Sequence, residues 1–403
     1  MSAGRLLLVT ARFPFGSQEA YLNVELAELA RYFDDVVVVP ARPPASEARY
    51  CVPDNVRVLD WPLLNAEILR RAAAAAAVAP LRAVRTFGKI IGSRDPGRLK
   101  NLAVFVKGLA LGQWAAEHRV DHIHAYWMST PSTVAMVAAS TSRLPWSATA
   151  HRWDIYERNA FDVKERSVEY VRAISARGAR DLRARMPRLD GRIAHLRLGI
   201  QIPPYAVNRR SQGGSFRIVC PAALVPVKGH GVLLAALSQL KDSGIPVKCV
   251  LFGTGPLQAE LENAVASRGL RDEVEFGGFI PQARLHDLYR SGRFDAIVLA
   301  SRDAGEKMME GVPSALLEAM AFGIPIVATN SGSVREAIDS RCGLLVPPDD
   351  ASALAAALFD VYHKPQEARS RAERAYELVA ERHDVRAQMR DLAAALHGKE
   401  RAS

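Results

Sequence analysis

The sequence predicts an α/β protein made of two doubly wound parallel-sheet domains, and three observations carry that expectation. The chain has 403 residues, about twice the usual length of one domain. Short, continuous apolar runs alternate with amphipathic or alanine-rich segments along its whole length, the pattern of strands buried on both faces beneath covering helices. The alternation breaks once, at "GIQIPPYAVNRRSQGGSF" from Gly199 to Phe216, where prolines, glycines and polar residues replace any periodicity. The expected division is residues 1–205, residues 206–375, and a terminal helix over 376–403 that returns to the first domain.

In chain order, the first domain's strands are expected at Arg5–Thr10, Val36–Pro40, His122–Ala125, Ser147–His151, Val171–Ser175 and Ile193–Leu198. The second domain's are expected at Phe216–Pro221, Val247–Phe252, Val274–Phe276, Ala296–Ala300, Pro325–Ala328 and Leu344–Val346. Helical patterns lie between most of them, and one long helical pattern runs from about Gln366 to His397. Open sheets of this kind bind ligands beyond the carboxyl ends of their strands. Two such domains facing each other place the expected site in the cleft between them.

Composition excludes several classes. Hydrophobic residues at 49% and charged residues at 24% are ordinary for a globular chain. The alanine run Ala72–Ala77 is bordered by Arg70, Arg71 and Pro80 and is too short to span a bilayer. No stretch has the form of a signal peptide, so the expected location is cytoplasmic. Cys51, Cys220, Cys249 and Cys342 have no paired spacing and read as buried reduced thiols, not as a zinc site or a disulfide frame. Net charge is +10 and uneven: residues 1–210 hold 31 Lys and Arg against 19 Asp and Glu, whereas residues 211–403 hold 22 against 24. Such a basic half fits an anionic surface. The stretch "RRAAAAAAVAPLRAVRTFGKIIGSRDPGRLKNLAVFVKGLAL" mixes apolar runs with Arg and Lys and fits peripheral contact with an anionic membrane. Nucleic acid is not expected, because basic and aromatic residues do not interleave.

Four stretches of the second half carry chemistry. In "AALVPVKGHGVLLAALSQL", Lys228 lies in a strand-to-helix loop before a helix from about Gly231, where a point charge and a helix amino end suit a phosphate. In "VLFGTGPLQAELE", Gly253 and Gly255 allow a tight turn and close backbone approach, but no third glycine completes a dinucleotide fingerprint. In "VEFGGFIPQARLHDLY", Phe279, Ile280 and Pro281 follow a Gly-Gly turn where they would wall a base. In "EGVPSALLEAMAFGIPIVATNSGS", Glu310 and Glu318 stand eight positions apart on either side of a helix start near Ser314. Free N–H groups there bind anions, and a buried carboxylate accepts hydrogen bonds from ribose hydroxyls.

The order and spacing of these stretches resemble the donor half of the GT-B glycosyltransferases, specifically the large retaining group often called family 4, in its exopolysaccharide-type branch. The resemblance covers residues 211–362 and implies two Rossmann-like domains facing a cleft. It implies that Lys228 holds the donor diphosphate, Glu318 the ribose, and Glu310 the donor sugar and reaction centre. Backbone near Gly311, Ser314 and Ala315 would contact phosphate or sugar. In the first half, "DHIHAYW" and "SATAHRWDIYER" resemble acceptor-domain loops. His151 matches a histidine that approaches the donor sugar, and His124, Tyr126 and Asp154 fall on the acceptor side. "ARFPFGSQEAYLNVELAELARYFDDVVVVP" resembles the amino end of exopolysaccharide-type members. In its first loop Gly16 would allow donor approach beside Ser17, and Glu19 would face the acceptor or serve as a helix amino-terminal acid.

Three departures stand out. Ala223 occupies a position, five residues before Lys228, where the family usually has an arginine. Losing one charge-assisted contact typically costs about 1.5–3 kcal/mol. Pro313 stands where many members have glycine and removes one N–H donor. Tyr126 replaces a histidine common in that loop. The resemblance implies transfer from a nucleotide-diphosphate sugar to a hydroxyl acceptor without a metal or other cofactor. The leaving charge would rest on Lys228 and the helix amino end. The acceptor side is left between a glycan or lipid-linked sugar and a soluble small molecule. Ala223 also leaves room for a non-catalytic sugar-nucleotide-binding partner.

Overall fold

The computed structural model describes residues 4–16, 19–43, 49–205, 214–305 and 308–398. It divides into two compact units, Met1–Gly199 with Val385–Ser403, and Ile200–Asp384.

The first unit is a seven-stranded parallel sheet of β1 (Arg5–Thr10), β2 (Asp35–Pro40), β3 (Val56–Val58), β4 (His122–Ala125), β5 (Trp146–Ala150), β6 (Tyr170–Ala173) and β7 (Ile193–His195). Its order is β3-β2-β1-β4-β5-β6-β7, so the chain reverses direction across the sheet between β1 and β4. Alternation along β1 fills both faces: Leu7 and Val9 enter one apolar cluster, Leu6 and Leu8 the other. The second cluster is completed from the chain's end, where Met389, Leu392 and Leu396 of helix Val385–Leu396 meet Leu22 and Leu26 of helix Ala20–Leu29.

The second unit is a six-stranded parallel sheet of β8 (Phe216–Pro221), β9 (Val247–Phe252), β10 (Val274–Gly278), β11 (Ala296–Leu299), β12 (Ile326–Thr329) and β13 (Leu344–Val346), in the order β10-β9-β8-β11-β12-β13. Here the reversal falls between β8 and β11. Open sheets of this kind bind ligands at such a switch point, beyond the carboxyl ends of the strands.

Differences from the expected elements have local causes. β3 is three residues long with only Val56 buried, too short to show a period. Ser175 belongs to the following helix, Ala176–Arg185, because its side chain accepts the Gly178 N–H at 3.0 Å. The long terminal pattern is two helices, Pro365–His383 and Val385–Leu396, separated at Asp384, whose ψ of 119° ends the first. The chain re-enters the first unit at Val385, not at residue 376. All four cysteines are free thiols; Cys220, Cys249 and Cys342 are buried as expected, but Cys51, which lies outside any strand, is exposed.

Candidate active site

After β8 the second unit makes one 3-10 turn, Pro226–Lys228, and enters helix His230–Asp242 through Gly229. Gly229 has φ +63°, and a Cβ there would lie 1.9 Å from the Ala300 carbonyl oxygen. Only glycine lets this loop and the loop after β11 touch. Lys228 Nζ then lies 2.6 Å from Glu310 Oε2. Ser301 donates its hydroxyl to the same oxygen at 2.7 Å, and the Gly311 N–H donates to Oε1 at 3.0 Å. The Glu310 backbone is fixed as well, its N–H donating to Ser331 Oγ at 2.9 Å. Burial alone would raise the Glu310 pKa. The Lys228 charge and the three hydrogen bonds outweigh it and hold the carboxyl below its ordinary value. Glu310 is a charged, immobilised carboxylate.

Helix Ser314–Ala321 begins just beyond, with Pro313 as its N-cap and no side chain capping it. The first N–H groups of a helix have no preceding turn to accept them, so Ser314 and Ala315 present free donors four and five residues after Glu310. Glu318, in the next turn, is buried. Its Oε1 accepts from Gln282 Nε2 at 2.9 Å, and its Oε2 lies 3.1 Å from His286 Nε2. Gln282 and His286 stand four apart on helix Gln282–Arg290 and so share one face. Just before that helix Phe279 is exposed and Ile280 half-buried. The two carboxylates thus differ in kind: Glu310 is matched to a cation, Glu318 to a polar helix face.

The turn glycines need a correction. A Cβ at Gly253 would meet the Ala222 carbonyl oxygen at 2.1 Å, and one at Gly255 the Leu224 carbonyl oxygen at 2.4 Å. The close approach they permit is to the backbone of Ala222–Leu224, where the Leu224 N–H donates to the Thr254 carbonyl at 3.0 Å. Ala223 sits exposed in that same loop.

In the first unit His151 is not the last residue of β5. It is the N-cap of helix Arg152–Glu157, because Asp154 three residues on takes its backbone N–H at 2.7 Å. The ring packs on Trp127, centroids 4.1 Å apart, with Tyr21 and Tyr126 at 5.6 and 5.9 Å. Neither ring nitrogen has a hydrogen-bond partner among the described residues. Burial, aided by the Arg172 charge, pushes the His151 pKa down to about 3, so the ring is neutral. Glu19 organises the loop after β1. Its Oε2 accepts the N–H groups of Arg12 and Phe13 at 2.8 and 2.7 Å, and its Oε1 accepts Trp127 Nε1–H at 2.6 Å. Glu19 is the N-cap residue of helix Ala20–Leu29, so it does stand at a helix amino end, but its side chain makes no cap hydrogen bond to that helix. Gly16, at φ +77°, has open space where a Cβ would stand, and Ser17 lies outside the described residues.

Three acceptor-side assignments are corrected to framework roles by their own bonding. His124 is buried with Nδ1 on Ser147 Oγ at 2.7 Å and Nε2 on Thr149 Oγ1 at 2.9 Å, leaving no ring nitrogen free. The Tyr126 hydroxyl accepts from Arg172 at 3.1 Å inside the core. Both Asp154 oxygens accept backbone N–H groups, from His151 and Met128, while burial raises its pKa to about 8. Sequence reasoning also missed Trp127, Ser301, Gln282, His286 and Ser331. Only the i, i+4 pairing of Gln282 and His286 left a signal, visible once Glu318 was a candidate.

Residues 206–378 match the family model described as glycosyl transferases group 1. The chain is 38% identical over 144 residues to the amylovoran biosynthesis glycosyltransferase AmsK of Erwinia amylovora, covering 36% of this chain and 35% of AmsK. It is 32% identical over 171 residues to the putative colanic acid biosynthesis glycosyltransferase WcaL of Salmonella typhimurium, covering 42% of each. The chain therefore spans about two-fifths of the length of these relatives. Among solved structures, HepE of Anabaena in complex with UDP matches with a TM-score of 0.70 at 19% identity, over 98% of this chain and 100% of that one. Sucrose-phosphate synthase of Thermosynechococcus elongatus matches with a TM-score of 0.74 at 19% identity, over 99% and 100%. At that identity the likeness shows the fold, a GT-B pair of Rossmann-like units.

Proposed function

We propose that this protein is a retaining, metal-independent glycosyltransferase that moves a sugar from a nucleotide-diphosphate sugar to a hydroxyl acceptor in polysaccharide or glycolipid assembly. The observation that carries the reading is Lys228 Nζ, 2.6 Å from buried Glu310, which stands four residues before the uncapped helix Ser314–Ala321. A diphosphate accepts from Lys228 and from the helix N–H groups, which also take up the charge that develops as the sugar leaves. Lys228 then exchanges part of its contact with Glu310 for phosphate, freeing that carboxylate for sugar hydroxyls. Glu318 accepts from ribose while Gln282 and His286 hold it in place, and exposed Phe279 offers a face to the base. In the first unit, the unpartnered nitrogens of neutral His151 fit a sugar hydroxyl. Support for the donor comes from HepE, solved with UDP and with UDP-glucose. Support for the acceptor class comes from AmsK, named for amylovoran biosynthesis, and WcaL, named as putative for colanic acid biosynthesis.

Exposed Ala223, a methyl where a second cation is usual, favours one other reading: a partner that binds the sugar nucleotide without turning it over. Thermal melting with UDP, GDP, dTDP, CDP and ADP tests binding, since a ligand at 100 times its Kd adds roughly 2.7 kcal/mol of stability. One diphosphate should raise Tm, and Lys228→Ala should abolish the rise. Release of labelled sugar from the matching nucleotide sugar then separates an enzyme from a silent binder. If no nucleotide shifts Tm, the donor reading fails.

A further inference from the structure

We infer that the helix Pro80–Ile91 of the first unit docks flat on an anionic lipid surface. Three stripes run along it. Ala83, Thr86 and Ile90 are buried and attach the helix to its unit. Leu81, Val84, Phe87 and Ile91 are exposed, Leu81 at 70% and Val84 at 69%. At 100° per residue these four fall within an arc of roughly 120° on the outer side. Arg82, Arg85 and Lys89 form the third stripe beside the exposed one, and none pairs with an acidic residue among those described. Val78, two residues before the helix, and Leu99, in the next helix Arg98–Ala103, are also exposed, at 77% and 83%.

The charge around this stripe decides what covers it. Residues 68–94 contain six Lys and Arg and no Asp or Glu. A second copy meeting this face about a two-fold axis would set arginines against arginines. A nucleic acid would meet the cations but leave the aliphatic stripe in water. An anionic bilayer satisfies both, with the aliphatic side chains among acyl chains and the cations at headgroup level. Among the described residues no helix is long and apolar enough to cross a membrane, so the attachment is peripheral. This inference does not depend on the donor reading.

The test is co-sedimentation of the full chain with vesicles of phosphatidylcholine alone and with about 30 mol% phosphatidylglycerol. The parent should pellet with the anionic vesicles and be released by high salt. Leu81→Ser/Val84→Ser should lower the partition coefficient about tenfold, and Arg82→Ser/Arg85→Ser/Lys89→Ser should remove the preference for anionic lipid. All five positions lie outside the buried stripe, and circular-dichroism melts matching the parent would show that the variants are folded. The inference is overturned if the parent ignores both vesicles, or if the serine variants pellet like the parent. It is equally overturned if the parent forms a dimer that Leu81→Ser/Val84→Ser dissolves while lipid has no effect.

Discussion

Lys228→Ala removes the only side-chain cation bonded to Glu310 among the described residues and leaves a buried carboxylate with Ser301 Oγ and the Gly311 N–H. A hydrogen bond to a charged group contributes about 1.5–3 kcal/mol, and Lys228 is mostly covered, so about 2 kcal/mol of stability should be lost at pH 7. For a unit of this size that lowers Tm by roughly 4–8 °C. The pH dependence follows from the direction of the shift. In the parent the Glu310 pKa is held below its ordinary value, so its stabilisation is present above the unfolded carboxylate pKa and is lost as pH falls through the folded one. In the variant burial is opposed only by the Ser301 and Gly311 hydrogen bonds, so the Glu310 pKa lies higher than in the parent, and the variant is penalised at neutral pH and recovers as it takes up a proton. The Tm gap between parent and variant should therefore narrow on going from pH 7 to pH 4.5. Glu310→Gln added to Lys228→Ala should return much of the loss, because it removes the uncompensated charge. Thermal denaturation of all three proteins across that range is the assay. A single variant that melts with the parent at pH 7, or a double variant with no recovery, would refute the reasoning.

Two further outcomes follow from the first unit. Arg172 and Glu25 form a fully buried two-pronged pair, 2.7 and 2.9 Å, so Arg172→Met should cost roughly 3–5 kcal/mol in denaturant unfolding, more than Glu25→Gln/Arg172→Met together cost beyond it. With its pKa near 3, His151 should show no change in its ring proton shifts between pH 5 and pH 8, assigned by difference from His151→Gln; a titration in that window would contradict its burial.

Much of this was legible because apolar runs and motif spacing are local properties. β1, β4, β8, β9 and β13 fall where their residues read as strands, and helix Ser314–Ala321 starts where Gly-Val-Pro-Ser ends. What stayed hidden depends on partners far away in sequence. Nothing near Glu19 says that its carboxylate will take the Trp127 indole 108 positions on, and nothing near Gly253 says that its neighbour will be the Ala222 carbonyl. His124 illustrates the same limit. A histidine in "HIHAYW" invites a functional reading even though His122–Ala125 reads as a strand, yet inside β4 it has hydroxyls of β5 on both nitrogens. Residue type indicated chemistry, and only tertiary packing showed whether that chemistry was already spent inside the fold.

The Lys228–Glu310 pair carries one more consequence, because a single cation serves two anions in turn. When a nucleoside diphosphate draws Lys228 toward phosphate, Glu310 loses the interaction that keeps its pKa low while its burial stays the same. Its pKa must rise, and the bound state must hold more protons than the free state at mildly acidic pH. Nucleotide binding should therefore take up protons near pH 5 and tighten as pH falls, by up to tenfold for each unit that the Glu310 pKa rises. Calorimetric titration of the nucleoside diphosphate in buffers of different ionisation enthalpy measures that uptake directly, once the phosphate's own titration has been subtracted. Glu310→Gln should abolish the uptake while leaving Lys228 free for phosphate. Uptake equal in the parent and in Glu310→Gln would mean that Lys228 stays with Glu310 when the nucleotide binds, and that the helix N–H groups at Ser314 and Ala315 hold the diphosphate without it.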